Sequence, residues 1–189
     1  MKCLIKARTF IAVNVSNQNG IEKLQQEIIS NYGLSRQDVK PVEKQNFHFT
    51  LVFLNMVELE TIDKIKSKLL EVEFKPIKII YTCVGIFPNP NFARVIWIKV
   101  DDEGRKGLSS LATVVLSKIA ELGFRLDSKQ FTPHMTIFRI KRKLNLENIL
   151  SYYEGKTFGS DIIDRVHLKR SDLTAAGPVY SNIFTVYAK

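Results

Sequence analysis

The stretches Phe47-His48-Phe49-Thr50-Leu51 and Pro133-His134-Met135-Thr136-Ile137 decide the architecture of this chain. Each is an apolar strand pattern interrupted by a histidine and, two positions later, a threonine. Residues two apart in a strand point to the same side, so each stretch should present an imidazole and a hydroxyl together. Two of the three histidines in the chain occur in this pattern.

The two stretches occupy equivalent places in an internal repeat. His48 and His134 are 86 positions apart, and the same shift places Arg8 on Arg94. Each half has the pattern strand-helix-strand-helix-strand, over roughly residues 8–86 and 93–170, and a final strand over 179–187 follows. Each half is small for a stable core of its own. The repeat therefore predicts one domain, residues 1–189, built from two pseudo-symmetric lobes.

The expected fold class is α+β. Apolar residues at helical spacing predict helices after Asn19-Gly20, from Glu58 to Glu71 and from Leu108 to Leu122. The strands, among them one from Asp161 to Lys169, are expected to form two mainly antiparallel sheets that line a central cleft, with the helices outside.

Composition limits the class of partner. The chain has 28 Lys and Arg against 19 Asp and Glu, a formal net charge of +9, which favours nucleic acid first and an anionic membrane second. No apolar run approaches the length of a membrane span, and the N-terminal residues lack the apolar core of a signal peptide. We expect a cytoplasmic monomer with no membrane partner.

Cysteine and histidine usage argues against a metal centre. Cys3 and Cys83 have no Cys or His neighbours at metal-ligand spacing, so ordinary reduced thiols are expected. A zinc site needs more such ligands than the chain offers. The expectation is a site without metal or cofactor.

Two imidazoles on facing walls suit acid–base catalysis at phosphorus. With an ordinary pKa of about 6.5, one ring can be neutral while the other is charged. One then accepts a proton from the attacking group and the other donates a proton to the leaving group. The hydroxyls of Thr50 and Thr136 can donate hydrogen bonds to phosphate oxygens. Symmetry leaves open which histidine is the acid.

Longer stretches around the motifs resemble a known family. Asn46 to Leu54, Arg94 to Trp97, Thr132 to Ile140 and Gly177 to Tyr180 resemble the RNA 2′,3′-cyclic phosphodiesterase family of the 2H phosphoesterase superfamily, also called the 2′-5′ RNA ligase or LigT-like family. The resemblance covers nearly the whole chain in order. It implies a bilobal LigT-like fold and metal-independent hydrolysis of a terminal 2′,3′-cyclic phosphate on RNA to a 2′-phosphomonoester.

The resemblance also implies roles for the site residues. His48 would be the proton donor to the departing 3′ oxygen, and His134 the proton acceptor that activates water. Thr50 and Thr136 would hold phosphate oxygens. With a 5′-hydroxyl RNA end in place of water, the same groups could run a reversible 2′-5′ ligation. The partner would be RNA with a 2′,3′-cyclic phosphate end, with tRNA fragments among the candidates.

Arg139, Phe10 and Tyr180 are further candidates for substrate binding. Arg139 matches a frequent arginine of the family but lies five residues after His134, so an ideal strand places it on the opposite face. It reaches phosphate only if the strand twists, bulges or ends nearby. Phe10 and Tyr180 can stack a terminal base, with core packing as the alternative.

Basic residues and the third histidine, which lie outside the motifs, can have structural instead of functional roles. The run Lys141-Arg142-Lys143 either lines the cleft mouth and attracts RNA phosphates or forms a solvated turn. His167 lacks the motif and is expected to be an ordinary strand residue.

Two other functions are compatible with the motifs. A 2H phosphodiesterase acting on another cyclic or 2′-5′ linked nucleotide would share them, because the motifs contact phosphate and the loops select the rest. A non-catalytic module that binds RNA ends is the second, although binding alone needs no acid–base pair. A metal-dependent hydrolase would need a cluster of carboxylates and histidines that the sequence does not suggest.

Overall fold

The computed structural model describes residues 6–124, 131–146, 148–175 and 177–189. Cys3, one of the two cysteines expected to be reduced thiols, lies outside the described residues. Cys83 is a free thiol. The elements in chain order are β1 (Lys6–Asn14), α1 (Asn19–Asn31), β2 (Val39–Pro41), β3 (His48–Glu58), α2 (Leu59–Leu70), β4 (Ile77–Phe87), β5 (Val95–Val100), α3 (Asp102–Ala120), β6 (Met135–Ile140), α4 (Ile149–Tyr152), β7 (Thr157–Ile163), β8 (Arg165–Thr174) and β9 (Gly177–Tyr187).

The strands form two sheets in which every pairing is antiparallel. Sheet A has the strand order β3-β1-β8-β9, and sheet B has the order β2-β6-β5-β4-β7. Together with the helices, these sheets confirm the predicted α+β class with two antiparallel sheets.

The two sheets correspond strand by strand under the 86-residue shift. The shift carries β3 onto β6, β1 onto β5 and β4 onto β8, and these strands occupy matching positions in the two sheets. Each half of the chain therefore gives a strand to the sheet that holds the other half's motif strand, since β4 lies in sheet B and β8 in sheet A. The strand exchange ties the two halves of the sequence together.

One strand prediction is wrong. Asp161 to Lys169 is not a single strand, because β7 ends at Ile163 and β8 begins at Arg165. The two strands belong to different sheets: β7 pairs with β4, and β8 pairs with β1 and β9. Both segments are rich in residues that favour strands, so the sequence pattern hides the change of sheet at Asp164.

The helices bury their predicted apolar faces in one continuous core. Helix α3 begins at Asp102, six residues before the first apolar position used to predict it, because its first turn is acidic and exposed. Gly104 and Gly107 let it approach β4 closely. A Cβ at Gly107 would lie 2.5 Å from Ile77, and one at Gly104 would lie 2.9 Å from Ile79. None of the helices in the described ranges is long and apolar enough to cross a membrane.

Two polar side chains, the buried Gln25 and the partly exposed Asp161, join elements of different halves. The amide Nε2 of Gln25 on α1 donates to the carbonyls of Val42 and Ile137, at 3.0 and 2.8 Å. The carboxylate of Asp161 on β7 accepts hydrogen bonds from the backbone of the segment after β1 and from the hydroxyl of Tyr81. These bonds hold sheet B against the first half of the chain.

His167 lies buried on β8, in agreement with its predicted role as a strand residue. Its Nδ1 shares a hydrogen bond of 2.9 Å with the hydroxyl of Thr185 on β9. Burial lowers the pKa of His167 to about 4, and the charges of Lys169 and Arg165 act in the same direction. The folded protein therefore keeps this imidazole neutral through neutral and mildly acidic pH.

Replacing His167 by glutamine should reduce the loss of stability in acid. An unfolded histidine titrates at about 6.5, so between about pH 6.5 and 4 the unfolded state binds a proton that the folded state does not. This difference should cost the wild type about 2 kcal/mol of unfolding free energy at pH 4.5. Urea unfolding at pH 7 and pH 4.5 checks the prediction. Equal losses in the wild type and His167→Gln would contradict it.

Candidate active site

The two motif strands present their histidine and threonine as the period-two pattern predicts. On β3, His48 and Thr50 are partly exposed while Phe49 and Leu51 are buried. The second stretch repeats this arrangement, with His134 and Thr136 partly exposed and Met135 and Ile137 fully buried. The buried residues anchor each strand in the core, so the polar side chains on the other face are held in place.

The four polar side chains line one cavity. Its volume is about 620 Å³, and His48, Thr50, His134 and Thr136 all contribute to its walls. His48 and Thr50 belong to sheet A. Thr136 belongs to β6 of sheet B, and His134 immediately precedes that strand. Phe10, Tyr180 and Arg139, the other predicted site residues, line the same cavity.

A backbone carbonyl fixes the tautomer of each motif histidine. His48 Nδ1 lies 2.6 Å from the carbonyl oxygen of Asn46, and His134 Nδ1 lies 2.8 Å from that of Thr132. A carbonyl only accepts, so Nδ1 carries the proton in both rings. The neutral rings therefore keep Nε2 as the nitrogen that can take up or release a proton.

Aromatic rings surround both imidazoles, but differently on the two walls. Phe10 and Tyr180 lie 5.2 and 5.3 Å from the His48 ring, centroid to centroid. Phe87 and Trp97 lie 5.2 and 5.8 Å from the His134 ring, both edge-on. These contacts restrict the orientation of each ring.

A bulge in β6 brings Arg139 to the cavity. Trp97 on β5 pairs with Thr136, and Ile96 pairs with Phe138, so Ile137 is an extra residue without a partner on β5. A bulge of this kind shifts the alternation of the side chains by one. Arg139 therefore shares the cavity with Thr136 although the two are three positions apart. Strict alternation in sequence would have placed them on opposite faces.

Burial and nearby cations keep His48 neutral in the free protein. Desolvation is the largest cause that lowers its pKa to about 4, although the hydrogen bond to Asn46 opposes this shift. The positive charges of Lys169 and Arg139 lower it further. At neutral pH the free protein therefore holds His48 as the uncharged imidazole.

Lys169 is a buried cation near the site that the sequence pattern did not reveal. It is 4% exposed, and its ammonium donates to the side-chain oxygens of Asn14 at 2.9 Å and Asn182 at 2.7 Å. Burial lowers the pKa of Lys169 to about 8, so it is still mostly charged at pH 7. Asn14 is the cross-strand partner of His48, which places this charge behind the histidine. No motif marks it, because Asn14 lies 155 residues away in sequence and Asn182 reaches it only through the pairing of β8 with β9.

The basic run after β6 forms a structural contact instead of a cavity wall. Arg142 forms an ion pair with the buried carboxylate of Asp38, and the ammonium of Lys141 donates to the carbonyl of Arg36 at 2.7 Å. Neither these two residues nor Lys143 is among the described residues that line the cavity. In the parts of the chain that the structure describes, no three His, Cys, Asp or Glu side chains come together as metal ligands.

Comparisons with known proteins agree with this fold. Residues 10–186 match the family model described as the AKAP7 2′5′ RNA ligase-like domain. An RNA 2′,3′-cyclic phosphodiesterase of Archaeoglobus fulgidus is 41% identical over 177 residues, which is 93% of this chain and 97% of that protein. Another, of Methanocaldococcus jannaschii, is 32% identical over 181 residues, covering 93% and 98%.

A solved structure shows the same architecture. The crystal structure of Escherichia coli LigT complexed with 3′-AMP has a TM-score of 0.77 at 19% identity, and the match covers 97% of this chain and 99% of that one. This likeness confirms the predicted LigT-like fold. The protein therefore has the LigT-like fold, with a His-x-Thr motif on each wall of one cavity.

The particular family follows from the sequence match. The chain belongs to the family of AKAP7 2′5′ RNA ligase-like domains. Its curated relatives are named RNA 2′,3′-cyclic phosphodiesterases, so the family resemblance seen in the sequence is confirmed.

Replacing Lys169 by methionine should raise the pKa of His48. The ammonium disfavours the imidazolium by charge repulsion, and its removal leaves burial as the larger cause, so the pKa should rise but stay below its ordinary value. An NMR titration of the His48 imidazole measures the change. Arg170→Met is the matched control, because Arg170 is exposed and pairs with Asp172. An unchanged His48 pKa in Lys169→Met would contradict the prediction.

Proposed function

We propose that this protein hydrolyses the terminal 2′,3′-cyclic phosphate of RNA to a 2′-phosphomonoester, by acid–base catalysis with His48 and His134. The observation that carries the proposal is the pair of histidines on opposite walls of one cavity, each held through Nδ1 by a backbone carbonyl. Both Nε2 atoms are thereby available for proton transfer. The relatives named RNA 2′,3′-cyclic phosphodiesterases support the choice of substrate.

The two histidines would act on opposite sides of the phosphorus atom. His134 accepts a proton from water, and the water oxygen attacks phosphorus. The bond from phosphorus to the 3′ oxygen breaks, and His48 donates its Nε2 proton to that oxygen. The 2′-phosphate and a free 3′-hydroxyl result. This assignment of donor and acceptor follows the family resemblance, because the two motifs have the same local geometry.

Three cavity residues would stabilise the phosphate. The hydroxyls of Thr50 and Thr136 lie on the same strand faces as the histidines and can donate to the non-bridging oxygens. Arg139 brings a guanidinium to the same cavity, where charge-assisted hydrogen bonds to phosphate are strong. The negative charge that develops in the transition state would meet donors from both walls.

The donor role of His48 requires a proton that the free protein does not hold. With its pKa lowered to about 4, His48 is neutral before substrate arrives. An anionic phosphate beside the ring favours the imidazolium, so substrate binding and protonation of His48 are coupled. The cyclic phosphate would thus help to create the acid that cleaves it.

Two aromatic residues would position the terminal nucleoside. Phe10 is 4% exposed and packs on the His48 ring, so its main role would be to orient that imidazole. Tyr180 is more exposed and lies edge-on to both rings, 5.1 Å from Phe10. Its ring could contact the ribose or base of the terminal nucleotide.

The same cavity would also support a reversible 2′-5′ ligation. A 5′-hydroxyl RNA end in the position of the water molecule would give a 2′-5′ linkage with the same proton transfers, and RNA fragments such as cleaved tRNA would be suitable substrates. We also propose that the protein is a single domain and acts as a monomer in the cytoplasm.

A product assay tests the reaction directly. Incubating the protein with a short RNA that ends in a 2′,3′-cyclic phosphate, with EDTA present, should give RNA with a 2′-phosphate. Resistance of the product phosphate to an enzyme specific for 3′-phosphates identifies its position. A 3′-phosphate product, or no turnover in the presence or absence of EDTA, would overturn the proposal.

Alanine at either motif histidine should lower kcat by about 100- to 10,000-fold, the usual range for the loss of a general acid or base. The wild-type kcat should have a bell-shaped pH profile, because one histidine must be neutral and the other charged. His48→Ala should lose the fall at high pH, and His134→Ala the fall at low pH.

The third histidine provides the control. His167 is not among the residues that line the cavity, and His167→Gln should keep the wild-type kcat at pH 7. If His48→Ala instead lost the fall at low pH and His134→Ala the fall at high pH, the donor and acceptor roles would be reversed. Near wild-type rates in either alanine variant would rule out the paired mechanism.

A further inference from the structure

Phe53 occupies on the first wall the position that Arg139 occupies on the second. The two residues are 86 positions apart, like the histidines. In β3 the extra residue is Leu51, because Ala12 pairs with Thr50 and Ile11 with Val52. This bulge matches the one in β6 and moves Phe53 to the cavity side. Where the second wall presents a cation, the first wall presents an aromatic ring.

The ring of Phe53 is open to solvent although it faces the site. Its exposure is 63%, and its centroid lies 6.3 Å from that of Phe10, its cross-strand partner. Phe10 in turn lies against His48. Phe53 is therefore one ring further from the reacting phosphate than Phe10. A single exposed apolar side chain is ordinary on a protein surface, whereas a group of them beside a site is not.

The apolar surface around Phe53 continues onto the β8–β9 hairpin. Leu173 and Val179 line the same cavity and are likewise exposed. Together with Phe53 they form an apolar rim on the side of the cavity that sheet A provides. An exposed apolar group of this kind, beside a site, marks a binding surface.

A second, smaller cavity extends the surface past this rim. Its volume is about 390 Å³, and it shares Arg8, Asn55, Ser171 and Leu173 with the cavity of the histidines. Arg170, Lys6 and Asp172 also line it. Arg170 is paired with Asp172 and Lys6 with Glu58, so Arg8 is the cation that the two cavities share. A continuous groove thus leads from the histidines past Phe53 to Arg8. Cations beside an aromatic platform are the features with which proteins bind single-stranded nucleic acid.

We propose that Phe53 stacks on the base of the nucleotide that precedes the cyclic phosphate-bearing one, and that the RNA strand continues over Arg8 into the second cavity. The subsite is a platform for an unpaired base and does not read sequence, since every base offers a flat face. It rests on the proposed RNA substrate and extends it by one nucleotide. A protein partner is less well matched, because the apolar rim is small and opens directly onto the catalytic cavity.

Comparison of substrate lengths tests the subsite. A nucleoside 2′,3′-cyclic phosphate fills only the terminal site, whereas a dinucleotide with the same end also reaches Phe53. Phe53→Ala should lower kcat/KM for the dinucleotide by about 10-fold, within the range for one stacked base, and change it less than 2-fold for the mononucleotide. Phe53→Trp should restore the dinucleotide preference, whereas Phe53→Leu should not.

A second exposed aromatic residue of sheet A provides the matched control. Tyr187 is 61% exposed and pairs with Arg165 at the end of β8 and β9 remote from the cavity. Tyr187→Ala should leave both substrates unaffected. Equal losses for the two substrates in Phe53→Ala, or full activity of Phe53→Leu on the dinucleotide, would overturn the stacking role.

A binding measurement separates this inference from the reaction. If the wild type turned over neither substrate, the proposed function would fail, and calorimetry with a dinucleotide ending in a 2′-phosphate would still test the subsite. Tighter binding of the dinucleotide than of the mononucleotide, lost in Phe53→Ala, supports it. Equal affinities in the wild type would overturn it.

Discussion

The site depends on a bulge that occurs at the equivalent position of β3 and of β6. A regular strand shows every second residue to the cavity. The extra residue, Leu51 or Ile137, keeps the strand anchored in the core for one more position and advances the next cavity-facing side chain. Each wall therefore presents a histidine, a threonine and then a third residue. This third residue is Phe53 on one wall and Arg139 on the other.

The two walls of the cavity differ in their electrostatics. His48 has Lys169 buried behind it and the Phe10 and Tyr180 rings beside it, and its pKa is lowered to about 4. His134 lies instead against Phe87 and Trp97. A pair of chemically identical side chains can divide acid and base roles only if their surroundings differ. Buried charge is costly, and the two asparagine oxygens that hold Lys169 offset part of that cost.

The spacing of apolar residues predicted the features that depend on residues close in sequence. It did not predict the features that depend on pairing between strands distant in sequence. The helices, the motif strands and the shared face of each histidine and threonine follow from spacing alone. Arg139 was ambiguous because a bulge is a property of two paired strands and not of one. The strand predicted over 161–169 was wrong because its two parts join different sheets. Lys169 carried no signal, since Asn14 is remote in sequence and Asn182 contacts it only once β8 and β9 have paired.

The sequence by itself determined the repeat, the paired His-x-Thr motifs and the α+β class, because these rest on residue types at fixed short spacings. The tertiary structure decided that each half gives a strand to the other sheet, that one cavity holds both motifs, and that His48 is neutral in the free protein. Those properties depend on which strands lie side by side and on how much water and charge surround a ring. Only the folded chain sets these, because they arise from contacts between residues that are distant in sequence.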